Sequence, residues 1–352
     1  MIRIWYNHGY SQTRDALVML RRADPDGVVL VATHANALAP VFLVADIFAV
    51  EPGLPRTTAA QDDAYVDWCL AFATANQIQL FVPQRGRSAI ARRRADFTAA
   101  GVHLVLTADA DTLDIIDDKS QFYRAAAEAG LPTPVVATVH GVAEFDDAVA
   151  DIRRRGFDAC IKPPHGVFGA GYWRLKDDAP LFSQLMNPDQ RELQTHVVRE
   201  AVAAMGADMP PLLVMQYMPG DEWSIDCVCR DGELVDGIAR RKQGSAQILE
   251  HDGVALYLAR QVAKTFQLSN LINIQFKSSS TTEDTPLVLE VNPRMSGGCL
   301  YAELSGLNLP HLQLLNALDR LPPDQSERRT TRMIGPIAGA VDLSSLWSRT
   351  DA

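Results

Sequence analysis

The segment PLVLEVN, residues 286–292, combines an apolar strand pattern with polar side chains that a buried strand does not need. Successive side chains of a strand point to opposite faces, so Glu290 and Asn292 share one face. Arg294 follows two residues later. Carboxylate and amide oxygens are ligands that Mg²⁺ prefers, and a guanidinium can neutralise an anion. The spacing therefore indicates a metal and anion site, although a solvated strand face that ends in an Asn-Pro turn would show the same residues.

The segment LINIQFK upstream repeats this alternation, with Asn273, Gln275 and Lys277 on one face. If the two strands pair antiparallel, Gln275 faces Glu290. A single carboxylate with supporting amide oxygens suits Mg²⁺, which completes its shell with water and substrate phosphate. We therefore predict a metal site at Gln275, Glu290 and Asn292, whose oxygens would also suit Mn²⁺.

Two further patterns are suited to binding anions. In IARRKQG, Arg240 and Lys242 lie on one strand face and could contact a carboxylate or a transferring phosphoryl group. In HGVFGAGYW, Gly166, Gly169 and Gly171 would let backbone N–H groups turn toward an anion. A plain hairpin tip is the alternative interpretation of the glycines.

Composition narrows the class of partner. Lys plus Arg number 33 against 43 for Asp plus Glu, and the net charge of -10 argues against a surface that coats nucleic acid or anionic membrane. The five cysteines are scattered in apolar surroundings, which predicts reduced thiols, and the C-x-C at Cys227 and Cys229 reads as core. We find no signal peptide or membrane-spanning run, so we expect a cytoplasmic protein.

The elements that must position these residues fall into two patterns. Over the first hundred or so residues, short apolar strands alternate with helical stretches, which predicts an α/β domain with a parallel sheet. The turn YNHGYSQ has one glycine and so lacks the dinucleotide fingerprint. The strands of this parallel sheet are predicted at 2–6, 27–33, 41–50, 78–83 and 102–106. Later in the chain, a second set of strands predicts an antiparallel sheet, at 211–218, 222–232, 233–242, 271–278 and 286–292.

The helices are marked by their ends. Asp118 is an N-cap with Gln121 three residues on, and the helix that follows stops at Gly130. A hairpin is predicted at 157–164 and 171–177. The other predicted helices span 11–23, 60–77, 87–101, 142–156, 188–205 and 253–267.

Several motifs in order resemble the ATP-grasp superfamily: DDK at a helix start, CIKPPHGVFGAGYW, VMQYMPGDEWSID, NIQFK and VLEVNPRMSGG. The form is most similar to the carbamoyl phosphate synthetase and biotin carboxylase branch. The resemblance implies a Rossmann-like pre-ATP-grasp domain at 1–111 and an α+β ATP-grasp domain at 112–320. The latter would have subdomains of about 112–190 and 191–320, followed by a tail at 321–352.

The resemblance also implies roles for individual residues. Lys119 and Lys162 would contact the α and β phosphates of ATP, and the glycine loop would close over them. Either lysine could otherwise be an ordinary surface residue. The backbone of Gln216, Tyr217 and Met218 would contact adenine, although many relatives have Glu where Gln216 stands. Glu222 would accept hydrogen bonds from the ribose, and Arg294 would act in catalysis.

These roles together predict a ligase that activates a carboxylate as an acyl phosphate, transfers it to an amine or other nucleophile, and releases ADP and phosphate. Its partners would be small molecules, with no nucleic acid or membrane, and it would form a homodimer by analogy with the family. Bicarbonate chemistry, as in carbamoyl phosphate synthetase, is an open alternative. A nucleotide-binding protein without turnover is another.

Overall fold

The computed structural model of the chain divides into two compact units. The first comprises Met1–Asp114, Trp223–Ile274 and Val291–Ala352, and the second comprises Ile115–Glu222 and Gln275–Glu290. The predicted division at residues 111/112, 190/191 and 320/321 remains a prediction. The structure describes residues 1–9, 11–53, 59–166, 169–282, 285–322, 330–336 and 342–346.

A five-stranded parallel sheet begins the first unit, which confirms the predicted α/β pattern. Its strand order is β3-β2-β1-β4-β5, so β1 lies at the centre. The strands are β1 (Ile2–Asn7), β2 (Val28–His34), β3 (Ile47–Val50), β4 (Leu80–Val82) and β5 (His103–Leu104). The helices are α1 (Ser11–Ala23), α2 (Ala59–Ala75), α3 (Arg87–Arg92), α4 (Arg94–Ala99) and α5 (Ala110–Asp117).

Two predictions in this region were wrong in detail. Residues 41–50 do not form one strand, because Pro40–Leu43 is a 3-10 helix that buries Val41 and Phe42 before β3 begins. Proline fixes φ near the helical value and favours such a start. The single helix predicted at 87–101 breaks at Arg93, which has φ -101° and ψ 23°.

A second five-stranded sheet, of order β6-β10-β7-β8-β9, belongs to the second unit. Its core cluster includes Phe145, Ile152, Ile161 and Val214. The strands are β6 (Val136–Val139), β7 (Ala159–Lys162), β8 (Trp173–Leu175), β9 (Glu192–Leu193) and β10 (Leu212–Gln216). The helices are α6 (Lys119–Glu128), α7 (Val142–Arg154), α8 (Leu181–Met186) and α9 (Thr195–Met205).

The predicted hairpin of β7 and β8 is confirmed as an antiparallel pair. The single helix predicted at 188–205 was wrong, because residues 192–193 pair with β8 and α9 begins only at Thr195. The segment 211–218 was placed in the later sheet, but β10 pairs here with β6 and β7. Amphipathic spacing alone does not distinguish these partners.

The six-stranded sheet has the order β15-β14-β11-β12-β13-β16, and its pairs β11–β12, β12–β13 and β13–β16 are antiparallel, as predicted for this region. Neither β13 nor β16 was predicted. The strands are β11 (Glu222–Arg230), β12 (Glu233–Gln243), β13 (Ala246–Glu250), β14 (Asn270–Ser278), β15 (Pro286–Asn292) and β16 (Arg332–Ile334). The helices are α10 (Val254–Thr265) and α11 (Leu309–Ala317).

The core of the first unit joins apolar residues of both its sheets, such as Leu30, Val228 and Ile238. Part of the tail that was hard to place from sequence contributes here, since β16 extends the sheet and Leu346 is buried in the same cluster. Residues 337–341 and 347–352 lie outside the described residues.

The cysteine prediction is confirmed. All five cysteines are free and buried, and the sulfur atoms of Cys227 and Cys229 lie 4.0 Å apart. Across the described ranges, no helix is both long and apolar enough to span a bilayer.

Candidate active site

Lys119 is held at the start of α6 by a defined cap. Asp118 accepts hydrogen bonds from the backbone N–H groups of Ser120 and Gln121, at 2.8 and 3.3 Å, as predicted for an N-cap. The backbone N–H of Lys119 donates to the carbonyl of Pro164 at 3.2 Å. The backbone of Lys119 is therefore fixed at the start of α6, and its side chain extends from this position.

The ammonium group of Lys119 lies near an acidic residue of β15. Its Nζ is 3.9 Å from Oε2 of Glu290 and donates to the carbonyl of Gly166 at 3.0 Å. The side chains of Lys119 and Glu290 are 13% and 27% exposed. This arrangement brings together a predicted phosphate contact, a predicted metal ligand and the glycine loop.

Lys162, at the end of β7, is buried in the same unit. Its Nζ donates to the phenol oxygen of Tyr123 at 2.8 Å, and the phenol in turn donates to the carbonyl of Leu289 at 2.6 Å. Burial lowers the pKa of Lys162 to about 8, a shift that the Glu290 carboxylate opposes and Lys119 reinforces. A buried cation with little countercharge is stabilised by an anion such as a phosphate group.

Tyr123 is a residue of this cluster that the sequence did not point to. It is fully buried on α6, four residues after Lys119, and burial raises its pKa well above 10. Its i+4 spacing from Lys119 puts both residues on one helix face, and this was the available signal.

The glycine loop has the backbone that its composition predicts. Gly169 and Gly171 have φ of 64° and 73°, in the left-handed region that favours glycine. A Cβ on Gly171 would lie 2.8 Å from Cδ of Pro163. Gly166 begins the loop, and residues 167–168 at its tip lie outside the described residues.

The predicted adenine contact follows β10. The N–H of Gln216 donates to the carbonyl of Val135 at 2.8 Å, and the N–H of Tyr217 donates to the carbonyl of Asp158 at 2.8 Å. The side-chain oxygen of Gln216 accepts from the N–H of Val135 at 3.3 Å. These N–H groups already have protein partners, so Met218 is the better backbone donor for a base.

Glu222, the predicted ribose contact, lies 3.6 Å from Nζ of Lys277. Both side chains are about a quarter exposed, at 22% and 26%. The pair is open enough to be reached by a ligand.

Asn292 and Arg294 lie together in the first unit. Nδ2 of Asn292 donates to Oδ1 of Asn273 at 3.3 Å, and Nη2 of Arg294 donates to Oδ1 of Asn292 at 3.3 Å. Nη1 of Arg294 also donates to the carbonyl of Met295 at 3.1 Å. The amide of Asn292 is therefore oriented, with its oxygen on the side of Arg294.

Asn273 is a second residue whose role the sequence left undefined. It is fully buried, and its Nδ2 lies 2.9 Å from Oγ of Ser224 and 3.1 Å from Oδ1 of Asp226. It links the predicted metal ligand Asn292 to the interior of the sheet. Alternation along β14 had placed Asn273 on the polar face, but not its partners.

Arg240 is the centre of a buried polar network. Its Nε donates to Asp226 at 2.8 Å, and its Nη2 donates to the hydroxyls of Ser224 and Ser296, both at 2.8 Å. Nη1 donates to Gln247 at 2.9 Å. Only 5% of its side chain is exposed. The structure thus places Arg240 where it supports the strand ends, and direct contact with substrate stays a prediction.

Lys242 and Gln275 are the remaining predicted residues. Lys242 is exposed near the end of β12, opposite Gln247 of β13. Gln275 is half-buried on β14, the neighbour of β15 in the sheet. That Gln275 faces Glu290 remains a prediction. Within the described ranges, no three His, Cys, Asp or Glu side chains form a metal cluster, so a metal here would rely on amide oxygens as predicted.

An open cavity of about 940 Å³ in the second unit borders this cluster, since Asp118, Tyr123 and Pro164 line it. Its lining includes Arg124, Val136, Arg155 and Pro211, and neither Lys119 nor Lys162. The charged groups, rather than the cavity, define the candidate site.

Residues 208–337 match the family model described as ATP-grasp in the biosynthetic pathway with Ter operon. This part of the chain is similar to ATP-grasp proteins. Of the predicted site residues, those from Gln216 to Arg294 lie within the match, whereas Lys119 and Lys162 precede it.

Proteins with a similar sequence include members of the branch that the motifs resemble. A carbamoyl phosphate synthase large chain of Thermomicrobium roseum is 27% identical over 237 residues, which cover 63% of this chain and 20% of that protein. The chain spans about a fifth of the length of the curated relatives it matches.

Solved structures confirm the ATP-grasp fold. An L-amino acid ligase from Bacillus licheniformis superposes with a TM-score of 0.64 at 16% identity, covering 96% of this chain and 81% of that one. The biotin carboxylase of Campylobacter jejuni gives a TM-score of 0.63 at 14% identity, covering 93% and 73%.

Proposed function

We infer that this chain is an ATP-dependent ligase that activates a carboxylate as an acyl phosphate, transfers it to an amine, and releases ADP and phosphate. The observation that carries this conclusion is the cluster of Lys119, Lys162 and Glu290. Two lysines, one of them buried with a lowered pKa, lie around a carboxylate on the strand that leads to Arg294. A local positive site of this kind suits a triphosphate in a chain of net charge -10.

The nucleotide would be held by groups of several elements. Lys119 and Lys162 contact the phosphates, and the N–H groups of the glycine loop close over them. Met218 offers its backbone to the adenine. Glu222 accepts from the ribose hydroxyls, for which it would exchange its contact with Lys277.

The residues present fit a magnesium ion. Glu290 offers a partly exposed carboxylate. Asn292 offers an amide oxygen, which a magnesium ion would share with Arg294, its donor at 3.3 Å. Gln275 would complete the protein ligands, and Mn²⁺ would suit the same oxygens. When bound, the ion neutralises phosphate charge during transfer.

Arg294 would bind the substrate carboxylate and stabilise the charge that develops when its oxygen attacks the γ-phosphorus. Arg240 would support Arg294 indirectly, because it donates hydrogen bonds to Asp226 and to Ser296, two residues after Arg294. Lys242, exposed at the end of β12, would attract the anionic substrate from solution.

Bicarbonate is a second candidate for the activated group. The observation in its favour is the similarity to proteins named carbamoyl phosphate synthase large chain, at 27% to 29% identity. A protein that binds the nucleotide without turnover is the alternative from another class. A homodimer and a cytoplasmic location stay predictions.

A screen of ADP release separates these functions. The protein is incubated with ATP and Mg²⁺ and with amino acids or small carboxylates, each with and without an amine. ADP formed only with a carboxylate and an amine supports the ligase. ADP formed with bicarbonate alone selects the second candidate, and nucleotide binding without ADP selects the third.

The acyl phosphate is tested with the carboxylate that the screen identifies. When its oxygens are labelled with heavy oxygen, one label should appear in inorganic phosphate, because the oxygen that captured the phosphoryl group leaves with it. Unlabelled phosphate, or AMP with pyrophosphate, would contradict the proposed chemistry.

A further inference from the structure

A buried carboxylate lies at the carboxyl edge of the parallel sheet in the first unit. Glu51 directly follows β3, and its side chain is fully buried. It accepts hydrogen bonds from Thr33 Oγ1 at 3.0 Å, Tyr65 OH at 3.1 Å and Arg85 Nη1 at 3.2 Å. Burial alone would raise the pKa of Glu51, but His8, Thr33 and Tyr65 lower it below its usual range. Glu51 is therefore a fixed negative charge at neutral pH.

His8 lies against this carboxylate at the end of β1. Its Nδ1 is 3.5 Å from Oε2 of Glu51, which is long for a hydrogen bond but places the carboxylate directly behind this nitrogen. Its side chain is 37% exposed, so the ring is buried on the Glu51 side and reachable on the other. A carboxylate behind one nitrogen of an exposed imidazole is the arrangement by which proteins prepare the other nitrogen to take a proton.

His34 supports the ring of His8. The two rings stack in parallel, with centroids 4.5 Å apart and an interplanar angle of 1°. The N–H of Asn36 donates to Nδ1 of His34 at 2.9 Å, which places the proton of a neutral His34 on Nε2. Burial and the neighbouring His8 lower the pKa of His34, so it stays neutral beside a ring that can be charged.

This edge of the sheet is connected to Arg294, in the same unit, through Asn7 and Gln84. Asn7, the residue before His8, accepts from the N–H of Gln84 at 2.6 Å. Gln84 and Arg294 both line one small cleft. Ligands of open parallel sheets bind outside the carboxyl ends of the strands. His8 therefore lies at the edge of the sheet where ligands bind, in the same unit as Arg294.

We propose that the amine substrate binds at this edge and that His8, with Glu51 behind it, accepts the proton that the amine loses. The inference rests on the proposed function. The amine nitrogen forms a bond to the acyl carbon, the bond from that carbon to the phosphate oxygen breaks, and inorganic phosphate leaves. Before this attack, the ammonium form of the amine passes one proton to Nε2 of His8, from which it returns to solvent. The proton that the nitrogen loses after the attack leaves with the inorganic phosphate.

The ionisable groups that face His8 come from four elements. Glu51 follows β3, His34 ends β2, Arg85 follows β4, and Tyr65 lies on α2. Glu51 also pairs with Arg85, at 3.2 Å. A limb in the pH profile of amine transfer is then assigned to His8.

His8→Asn is the test variant. Asparagine tolerates the left-handed backbone of this position, where φ is 40°, and removes the imidazole without emptying the core. His103→Asn is the matched control, since His103 is an exposed histidine on β5 of the same sheet. The carboxylate and amine from the ADP screen are used, with hydroxylamine as a second nucleophile that needs no base to become neutral at pH 7.

Transfer to the amine should fall on the order of 100-fold or more in His8→Asn, as expected for loss of a general base. Its pH profile should lose the limb seen in the parent. Hydroxamate formation from hydroxylamine should stay within about threefold of the parent, because the acyl phosphate still forms. His103→Asn should match the parent in both assays.

Two other results overturn the inference and are distinguishable. If the parent forms neither product nor hydroxamate with any carboxylate, the proposed function fails first. If the parent is active and His8→Asn transfers the amine at the parental rate with the same pH profile, the function stands and His8 has no part in it. Equal losses with amine and hydroxylamine would also contradict the proposal, because they would indicate a structural defect.

Discussion

The ammonium nitrogen of Lys162 lies 2.8 Å from the phenol oxygen of Tyr123, which itself donates to the carbonyl of Leu289 at 2.6 Å. Leu289 precedes Glu290 on β15. One phenol thus joins the buried lysine to the strand that carries the predicted metal ligand. The same side chain therefore contacts both the lysine and the residue that precedes the carboxylate.

Tyr123→Phe should raise the Michaelis constant for ATP while the protein remains folded. The variant removes the acceptor of Lys162 and leaves the Leu289 carbonyl without its donor, a loss of about 1–3 kcal/mol in the free energy of unfolding. Steady-state kinetics and urea denaturation measure both effects. Tyr257→Phe is the control because Tyr257 is 58% exposed. An unchanged Michaelis constant would show that the hydrogen bond from Lys162 to Tyr123 does not contribute to ATP binding.

Lys162→Met should weaken ATP binding by about 30-fold, since a charge-assisted contact to phosphate contributes about 2 kcal/mol. Calorimetric titration measures the affinity, and Lys176→Met, a half-exposed lysine of the same unit, is the control. Parental affinity in Lys162→Met would remove this residue from the nucleotide site.

The same variant should change the dependence of stability on pH. The folded pKa of Lys162, about 8, lies below the value of 10.5 in the unfolded chain, so the unfolded state binds more protons between these pH values. Its contribution to stability therefore rises from pH 8 to pH 10.5 in the parent and should be absent in Lys162→Met. The free energy of unfolding is measured for both proteins by denaturation at pH 7.5 and pH 9.5. An equal change between these pH values in the parent and the variant would contradict the prediction.

Glu290→Gln should reduce turnover on the order of 100-fold or more while thermal unfolding stays cooperative, because one ligand charge is lost and the strand is kept. Magnesium titration of the residual activity should show a weaker apparent affinity. Glu233→Gln, at an exposed position of β12, serves as control. Parental turnover in Glu290→Gln would exclude Glu290 as a metal ligand.

Arg240→Lys should destabilise the protein by about 3 kcal/mol, because an ammonium cannot reproduce the fork that binds Asp226, Ser224 and Ser296. Chemical denaturation measures the loss. Arg199→Lys, a half-exposed arginine that pairs with Asp146 on the surface, should change stability by less than about 1 kcal/mol. Equal small effects in the two variants would show that the buried network contributes little.

Local patterns predicted much of the scaffold. The limits of α1 and β15 match their predicted segments, 11–23 and 286–292, and the Asp118 cap is formed as its spacing indicated. Periodicity and capping depend on neighbours within one or two turns, so the sequence carries them directly.

Partners distant in sequence were not predictable in the same way. The sheet to which β10 belongs, the pairing of residues 192–193 and the addition of β16 to β13 depend on which surfaces meet. An apolar strand has a similar composition in either sheet, so only burial in a particular core decides its place.

The candidate site shows the same division between local and tertiary information. The sequence by itself determined which residues could do chemistry, because strand alternation puts the carboxylate and amide oxygens on one face and the motif order adds the lysines and glycines. Only the tertiary structure decided which partners they meet. Lys162 donates to Tyr123, Arg240 donates to Asp226, and His8 lies against Glu51. The physical reason is that a buried charge must find its partner wherever the fold brings one, and those partners lie from 14 to 43 residues away along the chain.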